Sequence, residues 1–382
     1  MQINEQIHAK LAETSQFLPP HCPNPKCENY GKPPLKENWC QKIGSFYRKN
    51  GDRVPRWLCT QGKKTHSFSY AAFECAYWLK RRDLLPAIAQ NLGEQSCLRG
   101  LARTLGVSQN CIYGQSMRIG RHCLVLHEIA LKSINPKRLS TLIFDEMESW
   151  EVSQFVPTTH PMFMDYKSGF KLSLSCSPIN RKGRMTTEQR TNYKVWCEKY
   201  GKVPRNSSTK AVGNILKHLK PIFEKVNEVQ IATDEKRTYA SELKRLWGDL
   251  NYTHMQFNSK EGRSTSYMGK INAEDQYIRQ RCSTMRRETL DCMKRHSNTS
   301  LRHATYMIKR NFVMATSHTK RKSNPAVKLG LIEKPVKWVD IFSRRVIDGL
   351  SLLPVFLKDV YLQKGRTPFF KNSRTHKASY AI

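Results

Sequence analysis

Apolar and polar positions change their period several times along this chain, and each change marks an element. RLSTLIFDEM (138–147) drives an apolar run into Asp145 and Glu146, and FKLSLSCSP (170–178) continues a β-rich region. VNEVQIATDE (226–235) is a further strand ending in acids. Helical spacing governs about 71–132, then 214–226, then a long stretch over about 272–295. Residues 1–20 read as a short helix stopped by Pro19 and Pro20. Between 21 and about 68 there is little apolar periodicity and much Pro, Gly, Asn and Lys, so this segment needs a staple to hold a fold. Residues 179–213 form a basic, exposed connection, and the last 60 residues are basic and weakly patterned, ending in a loose tail. No internal repeat is present. Strands interleaved with helices give an α/β class, preceded by a small stapled segment and a helical region.

Composition changes what such a fold is expected to meet. The 382 residues hold 65 Lys and Arg against 31 Asp and Glu, a formal net charge of +34. A field of that sign and size captures polyanions, and nucleic acid is the expected partner. No apolar run reaches the roughly 20 residues needed to span a bilayer. MQINEQIHAKLAETSQF lacks the basic-then-apolar layout of a signal peptide, so the expected compartment is the cytosol. Twelve scattered cysteines suit that compartment as free thiols, and only closely spaced ones suggest a metal.

HCPNPKCENYG supplies such a pair, Cys22 and Cys27, on a turn made by prolines and an asparagine. RWLCTQGKKTHSFS adds Cys59 and His66. Thiolates paired on tight turns suit tetrahedral Zn²⁺, whose binding supplies folding free energy that this segment lacks. The pattern resembles zinc ribbons, which use two Cys pairs. The second pair is incomplete here, and His66 is the expected fourth ligand, with His21 and Cys40 behind it.

In SCLRGLARTLGVSQNCIYGQSMRIGRHC (96–123), Leu98, Leu101, Ala102 and Leu105 are helically spaced. Gly106 breaks that helix, Val107 plugs the turn and Ser108 is placed to cap a second one. This is the layout of a DNA-binding helix-turn-helix, or of a plain helical hairpin that only packs. In the first case the second helix presents Gln109, Asn110, Tyr113 and Gln115 to base edges, and Arg118 and Arg121 to phosphates.

Asp145 and Asp234 each end an apolar strand, with Glu146 and Glu235 beside them. One such acid is a capping residue by default. Two matching junctions behind a DNA-binding region point to carboxylates that share divalent cations for phosphoryl displacement. Acids in a polyanion binder otherwise repel its partner.

Together these segments resemble bacterial insertion-sequence transposases that join a zinc ribbon, a helix-turn-helix and an RNase H-like DDE core. The carriers are HCPNPKCENYG, FYRKNG with PRWLC and SFS, YWLKRRDLLP, CLRGLARTLGVS, IGRHC, FDEMESWE, TDE followed by Tyr, and MRRETLDCMKR, in that order over about 20–310. The resemblance implies an RNase H-like fold with a mixed sheet flanked by helices. It also implies Mg²⁺- or Mn²⁺-dependent cleavage of transposon ends in double-stranded DNA, joining to a target, and a homodimer or larger assembly.

On that basis the expected domains are a helix over 1–20, a zinc-ribbon-like segment over 21–70 and a helix-turn-helix over 71–135. The catalytic core follows over 138–312 with its insertion at 179–213, and a basic region occupies 313–382. Asp145 and Asp234 match the family's first two catalytic acids. The third position departs from the pattern, because it falls around Gln280 and Arg281. Glu288 is the expected substitute, ahead of Asp275 and Glu274. Arg286, Arg287, Lys294 and Arg295 are expected to face the DNA backbone. The competing readings are a catalytically inactive, transposase-derived DNA-binding protein, and a nuclease or resolvase without strand transfer.

Overall fold

A computed structural model of the chain describes residues 19, 21–24, 27, 28, 30, 39–47, 53–60, 66–69, 72, 74–77, 79–94, 96–258, 266–285, 295–316, 323–346 and 349–364, with the backbone alone for 66–69 and 266. The helix expected over 1–20 and the tail beyond 364 fall outside the described residues, apart from Pro19. The chain divides into two compact units. Among the described residues, one comprises those up to Ala87 together with Val336–Leu352; the other comprises Ile88–Pro335 and 353–364.

In the first unit, β1 (Cys40–Tyr47), β2 (Arg53–Cys59) and β3 (His66–Ser69) form an antiparallel sheet in that order. Among the described residues its apolar core is small: Cys22, Cys27, Trp39, Trp57 and Cys59, with Cys40 and Ala72 packed against it. Helix α1 (Leu84–Leu92) carries the chain into the second unit.

There, α2 (Leu98–Thr104) and α3 (Gln109–Lys132) are joined by a turn through Gly106, whose φ of +62° is open to glycine at little cost. Ser108 caps α3 by accepting the Cys111 N–H at 3.2 Å. The mixed sheet that follows is built from β4 (Leu142–Trp150), β5 (Pro157–Asp165), β6 (Lys171–Leu174), β7 (Ser177–Pro178), β8 (Val229–Asp234) and β9 (Tyr252–Phe257). Its order is β6-β5-β4-β8-β9, with β7 paired to β5. β4, β5 and β6 run antiparallel, whereas β8 is parallel to β4 and β9 to β8.

Helices cover both faces. Along β4, Ile143 and Met147 share one face, the period-two rule puts Asp145 between them, and the same rule groups Ala232 with Asp234 on β8. That face packs on α7 (Ser266–Arg281) and α8 (His296–Ile308) through Met268, Ile271, Ile278 and Met307. On the other, Phe144 meets Tyr239 edge-on at 4.9 Å, and Phe223 lies against Trp247 at 5.2 Å. These come from α5 (Ser207–Phe223) and α6 (Arg237–Trp247). The basic connection read from the sequence contains α4 (Thr187–Tyr200), of which no residue is fully buried.

Two expectations change here. The strand through Asp145 does not end at that residue but continues to Trp150, because β5 pairs with it from Leu142 to Trp150. The helix expected over 272–295 begins at Ser266 and stops at Arg281.

A buried ionic cluster ties α7 to β6 and to the π-turn Lys309–Val313 that extends α8. Glu274 accepts hydrogen bonds from Arg310 at 2.7 and 2.8 Å, lies 3.0 Å from the Lys171 ammonium, and also bonds the Tyr306 hydroxyl. Among the described residues no helix is long and apolar enough to cross a membrane.

Candidate functional site

β4 pairs with β8 only at Leu142–Ile231 and Ile143–Ala232. The paired stretch ends two positions before Asp145 on β4 and two before Asp234 on β8. β8 itself ends at Asp234. Both acids therefore lie just past the paired stretch, and the alternation along each strand turns them toward the face that α7 covers. Asp275 lies four residues after Ile271 and three before Ile278, on the stripe of α7 that packs against this face.

The surroundings of Asp145 are poor in compensation. Its carboxylate accepts the N–H of Glu146 at 2.6 Å. Burial pushes it up to about 6 against that hydrogen bond, the charges of Asp234 and Glu146 push the same way, and Lys236 opposes them. Asp165, at the end of β5, is the contrast. It accepts four hydrogen bonds from the N–H and hydroxyl groups of Ser140 and Ser168, at 2.5 to 2.8 Å.

Glu146 points to the opposite face, where Ser208 donates to it at 2.7 Å and Lys236 forms an ion pair with it. Lys236 also reaches the Ser208 hydroxyl at 3.2 Å and stands over the Tyr239 ring at 5.1 Å. Tyr239 is buried, and its hydroxyl has no hydrogen-bond partner among the described residues. Burial raises that phenol far above its ordinary value, and the charges of Glu146, Asp145, Asp234 and Asp275 raise it further. One buried hydroxyl thus senses all four acids. Asp145 itself stands under-compensated near other acids, while the unpartnered Tyr239 hydroxyl is buried on the Glu146 side of the sheet.

The other sequence-derived acids separate clearly. Glu274 is held far below the ordinary carboxylate range: burial pushes it up, but Lys171 and Arg310, with Tyr306, overcome that. It is an anchor rather than a third member of the acidic site. Glu148 and Glu235 are exposed. Glu288, Arg286, Arg287 and Lys294 lie outside the described residues.

In the two-helix segment, Gln109 and Asn110 are exposed on the first turn of α3. The Tyr113 hydroxyl takes a hydrogen bond from Asn298 at 3.4 Å, and Arg118 and Arg121 are half-buried. Gln115, expected to face outward, is buried and donates to the Cys111 sulfur at 3.2 Å. Arg295 is half-buried just before α8.

In the first unit, the sulfurs of Cys22, Cys27 and Cys59 all lie within 4.8 Å of one another and are buried. The Cys27 and Cys59 sulfurs are 3.8 Å apart, and the Asn24 N–H points at the Cys22 sulfur at 3.4 Å. Burial pushes the Cys22 thiol well up, with Cys59 and Cys27 adding to it. Three converging sulfurs with a backbone donor fit a thiophilic metal ion. Cys59 stands in register with Cys40 on one side and His66 on the other; the His66 side chain lies outside the described residues, and Cys40 is not part of the close group. The His21 ring bonds the Cys22 carbonyl at 3.1 Å.

Sequence reasoning missed Lys236, Ser208 and the Tyr239 hydroxyl. Their positions two and five residues after Asp234 place Lys236 and Tyr239 in the turn and helix that follow the acid, but nothing in their spacing announces the link to Glu146. No protein-family model matches this chain, and no curated protein matches it.

Proposed function

We propose that this chain is a DNA transposase that cleaves transposon ends and transfers the strands. The observation that carries the reading is the position of Asp145 and Asp234, each two residues past the last paired residue of β4 and β8. The sheet order supports it. Three antiparallel strands followed by two parallel to the first, with helices on both faces, is the arrangement of an RNase H-like core. The capped turn between α2 and α3 supports a helix-turn-helix, with Gln109 and Asn110 free to read base edges. The net charge of +34 supports a polyanionic substrate.

Asp145 and Asp234 would hold Mg²⁺ or Mn²⁺, with Asp275 in place of Glu288 as the third acid. When bound, such cations polarise the scissile phosphodiester and make water or a 3′-hydroxyl a competent nucleophile. The protein's own part is positional. Glu146 and Ser208 fix the Lys236 ammonium at the rim of the site, where it offsets phosphate charge. Tyr239 is buried against Phe144 on the opposite face of β4 and backs the strand there. Cys22, Cys27 and Cys59 would hold Zn²⁺, with His66 as the proposed fourth ligand.

The test is Mg²⁺-dependent cleavage of a duplex carrying the terminal repeats that flank the gene. Asp145→Asn, Asp234→Asn and Asp275→Asn are each expected to lower the rate at least about a hundredfold. Binding of the repeats without cleavage by the wild type would leave the DNA-binding module standing and remove the enzyme. Cleaved ends with no joined product would reduce it to a nuclease.

A further inference from the structure

The insertion between β7 and α5 has a composition unlike the core it leaves. Residues 179–206 carry eight Lys and Arg against two Glu. Lys182, Arg184, Arg190, Lys194, Lys199, Lys202 and Arg205 are all exposed, and among the described residues none of them forms an ion pair with an acid.

Helix α4 within it is unusual in its supports. It has a full capping box, with Thr186 and Gln189 bonding reciprocally at 3.1 Å, and Gly201 at its end. Its half-buried stripe is aromatic: Tyr193 approaches Phe155 at 6.0 Å, its hydroxyl accepts the Arg181 N–H at 3.3 Å, and Trp196 lies 4.0 Å from Tyr200. Asn180 clasps both ends of the segment, bonding the Val203 carbonyl at 2.6 Å and its N–H at 3.1 Å. The segment is thus a closed, anchored arm rather than a slack loop. Arg190 and Lys194 stand one turn apart on the outer face, a like-charge pair that weakens a helix in water. A polyanion alongside removes that repulsion.

The arm returns to the core at Ser207 and Ser208, and Ser208 is the residue that holds Glu146 beside Asp145. The end of the arm is therefore tied to the strand that carries Asp145. We propose that the 179–206 arm is a second, sequence-independent docking surface for the phosphate backbone of duplex DNA. It grips the duplex flanking the phosphodiester presented to Asp145 and Asp234. Charge complementarity selects the partner, and the helix supplies phosphate contacts without reading base edges. This rests on the transposase reading for the identity of the duplex, but the contact itself is measured apart from cleavage.

Two full-length variants of equal charge test it. One is Arg190→Gln/Lys194→Gln/Lys199→Gln on the arm; the other is Lys217→Gln/Lys225→Gln/Lys244→Gln, three exposed lysines elsewhere in the same unit. Binding to a fluorescent duplex of arbitrary sequence is followed against salt concentration. The arm variant is expected to lose about two to three units of the log–log salt slope, near 0.9 per phosphate contact, with at least about tenfold lower affinity at physiological salt. The control is expected to change the slope by less than about one unit. Equal effects of the two variants, or an arm variant that binds like the wild type, overturn the proposal even if end cleavage is intact. Wild-type binding to phosphatidylserine vesicles but not to the duplex overturns it as well. A wild type that binds the duplex but cleaves none removes the catalytic reading alone, and the slopes still decide the arm. Circular dichroism of both variants shows that the fold is kept; the substituted side chains are exposed, so it is expected to match the wild type.

Discussion

Asp165, Glu274 and Asp145 are acids of the same unit, and their surroundings give them different work. Asp165 is satisfied by serine donors, and Glu274 by two cations. Asp145 has one backbone donor and acidic neighbours. Its folded value of about 6 exceeds the ordinary 3.8. Between those values the native state keeps a proton that the unfolded chain has lost, so this group's contribution to stability falls as pH rises from 4 to 6. Asp145→Asn should therefore be more stable than the wild type at pH 7 in the presence of EDTA, with the gap closing below pH 4. Equal urea midpoints at pH 7 would contradict the assignment of strain to this carboxylate. Glu274 has the opposite sign. Its folded value lies far below the ordinary 4.5, so its stabilisation is complete above that value and is lost as the solution is acidified through the native one. Glu274→Gln leaves Lys171 and Arg310 buried without their acid and should cost about 3–5 kcal/mol at pH 7. In acid the wild type should lose part of this advantage and move toward the variant, which a urea series from pH 7 to pH 3 would measure. The sequence exposed Asp145 and Asp234 because an acid after an apolar run is conspicuous. It could not separate Glu274 from Asp275, since adjacent residues on one helix differ here only in what α8 and β6 place beside them.

Elements were legible where their own residues decide them. Gly106 and Ser108 locate the turn before α3 by backbone and capping chemistry alone, and β8 ends at Asp234 as its pattern implies. They were illegible where a distant partner decides. β4 outruns its apolar stretch because β5 supplies a ladder for Glu146 to Trp150, and no local window contains that pairing. The crossing of α3 and α8 is equally non-local. A Cβ on Gly120 would lie 2.6 Å from the Leu301 Cβ and 2.7 Å from its carbonyl oxygen, so the two helices meet only because this residue lacks one. Gly114, on the same helix, has nothing within 4 Å. Gly120→Ala should destabilise by about 1–3 kcal/mol through overpacking. Gly114→Ala should stabilise by about 0.5–1 kcal/mol through helix propensity. Denaturant titration of the pair decides the matter, because two losses of similar size would show that the crossing does not depend on close approach.

For the whole molecule, the two units differ in what holds them. The second has a sheet covered on both faces, with Phe144, Phe163, Tyr239 and Trp247 all fully buried. The described residues of the first form three strands and a core of two tryptophans around three cysteines. So small an apolar core rarely sustains a fold unless something staples it, and three converging thiols supply the chemistry for a metal staple. Metal removal should therefore act on one unit alone. The purified chain is expected to carry about one zinc, falling to none in Cys59→Ser. Hydrogen exchange supplies the readout that activity cannot. With a strong chelator, protection should collapse across Arg53–Cys59 while Pro157–Asp165, fully buried in the other sheet, exchanges as before. Loss of protection in both strands would mean that the units do not unfold separately. Unchanged protection of Arg53–Cys59 with no bound zinc would mean that Trp39 and Trp57 suffice, and that the cysteines are packed thiols.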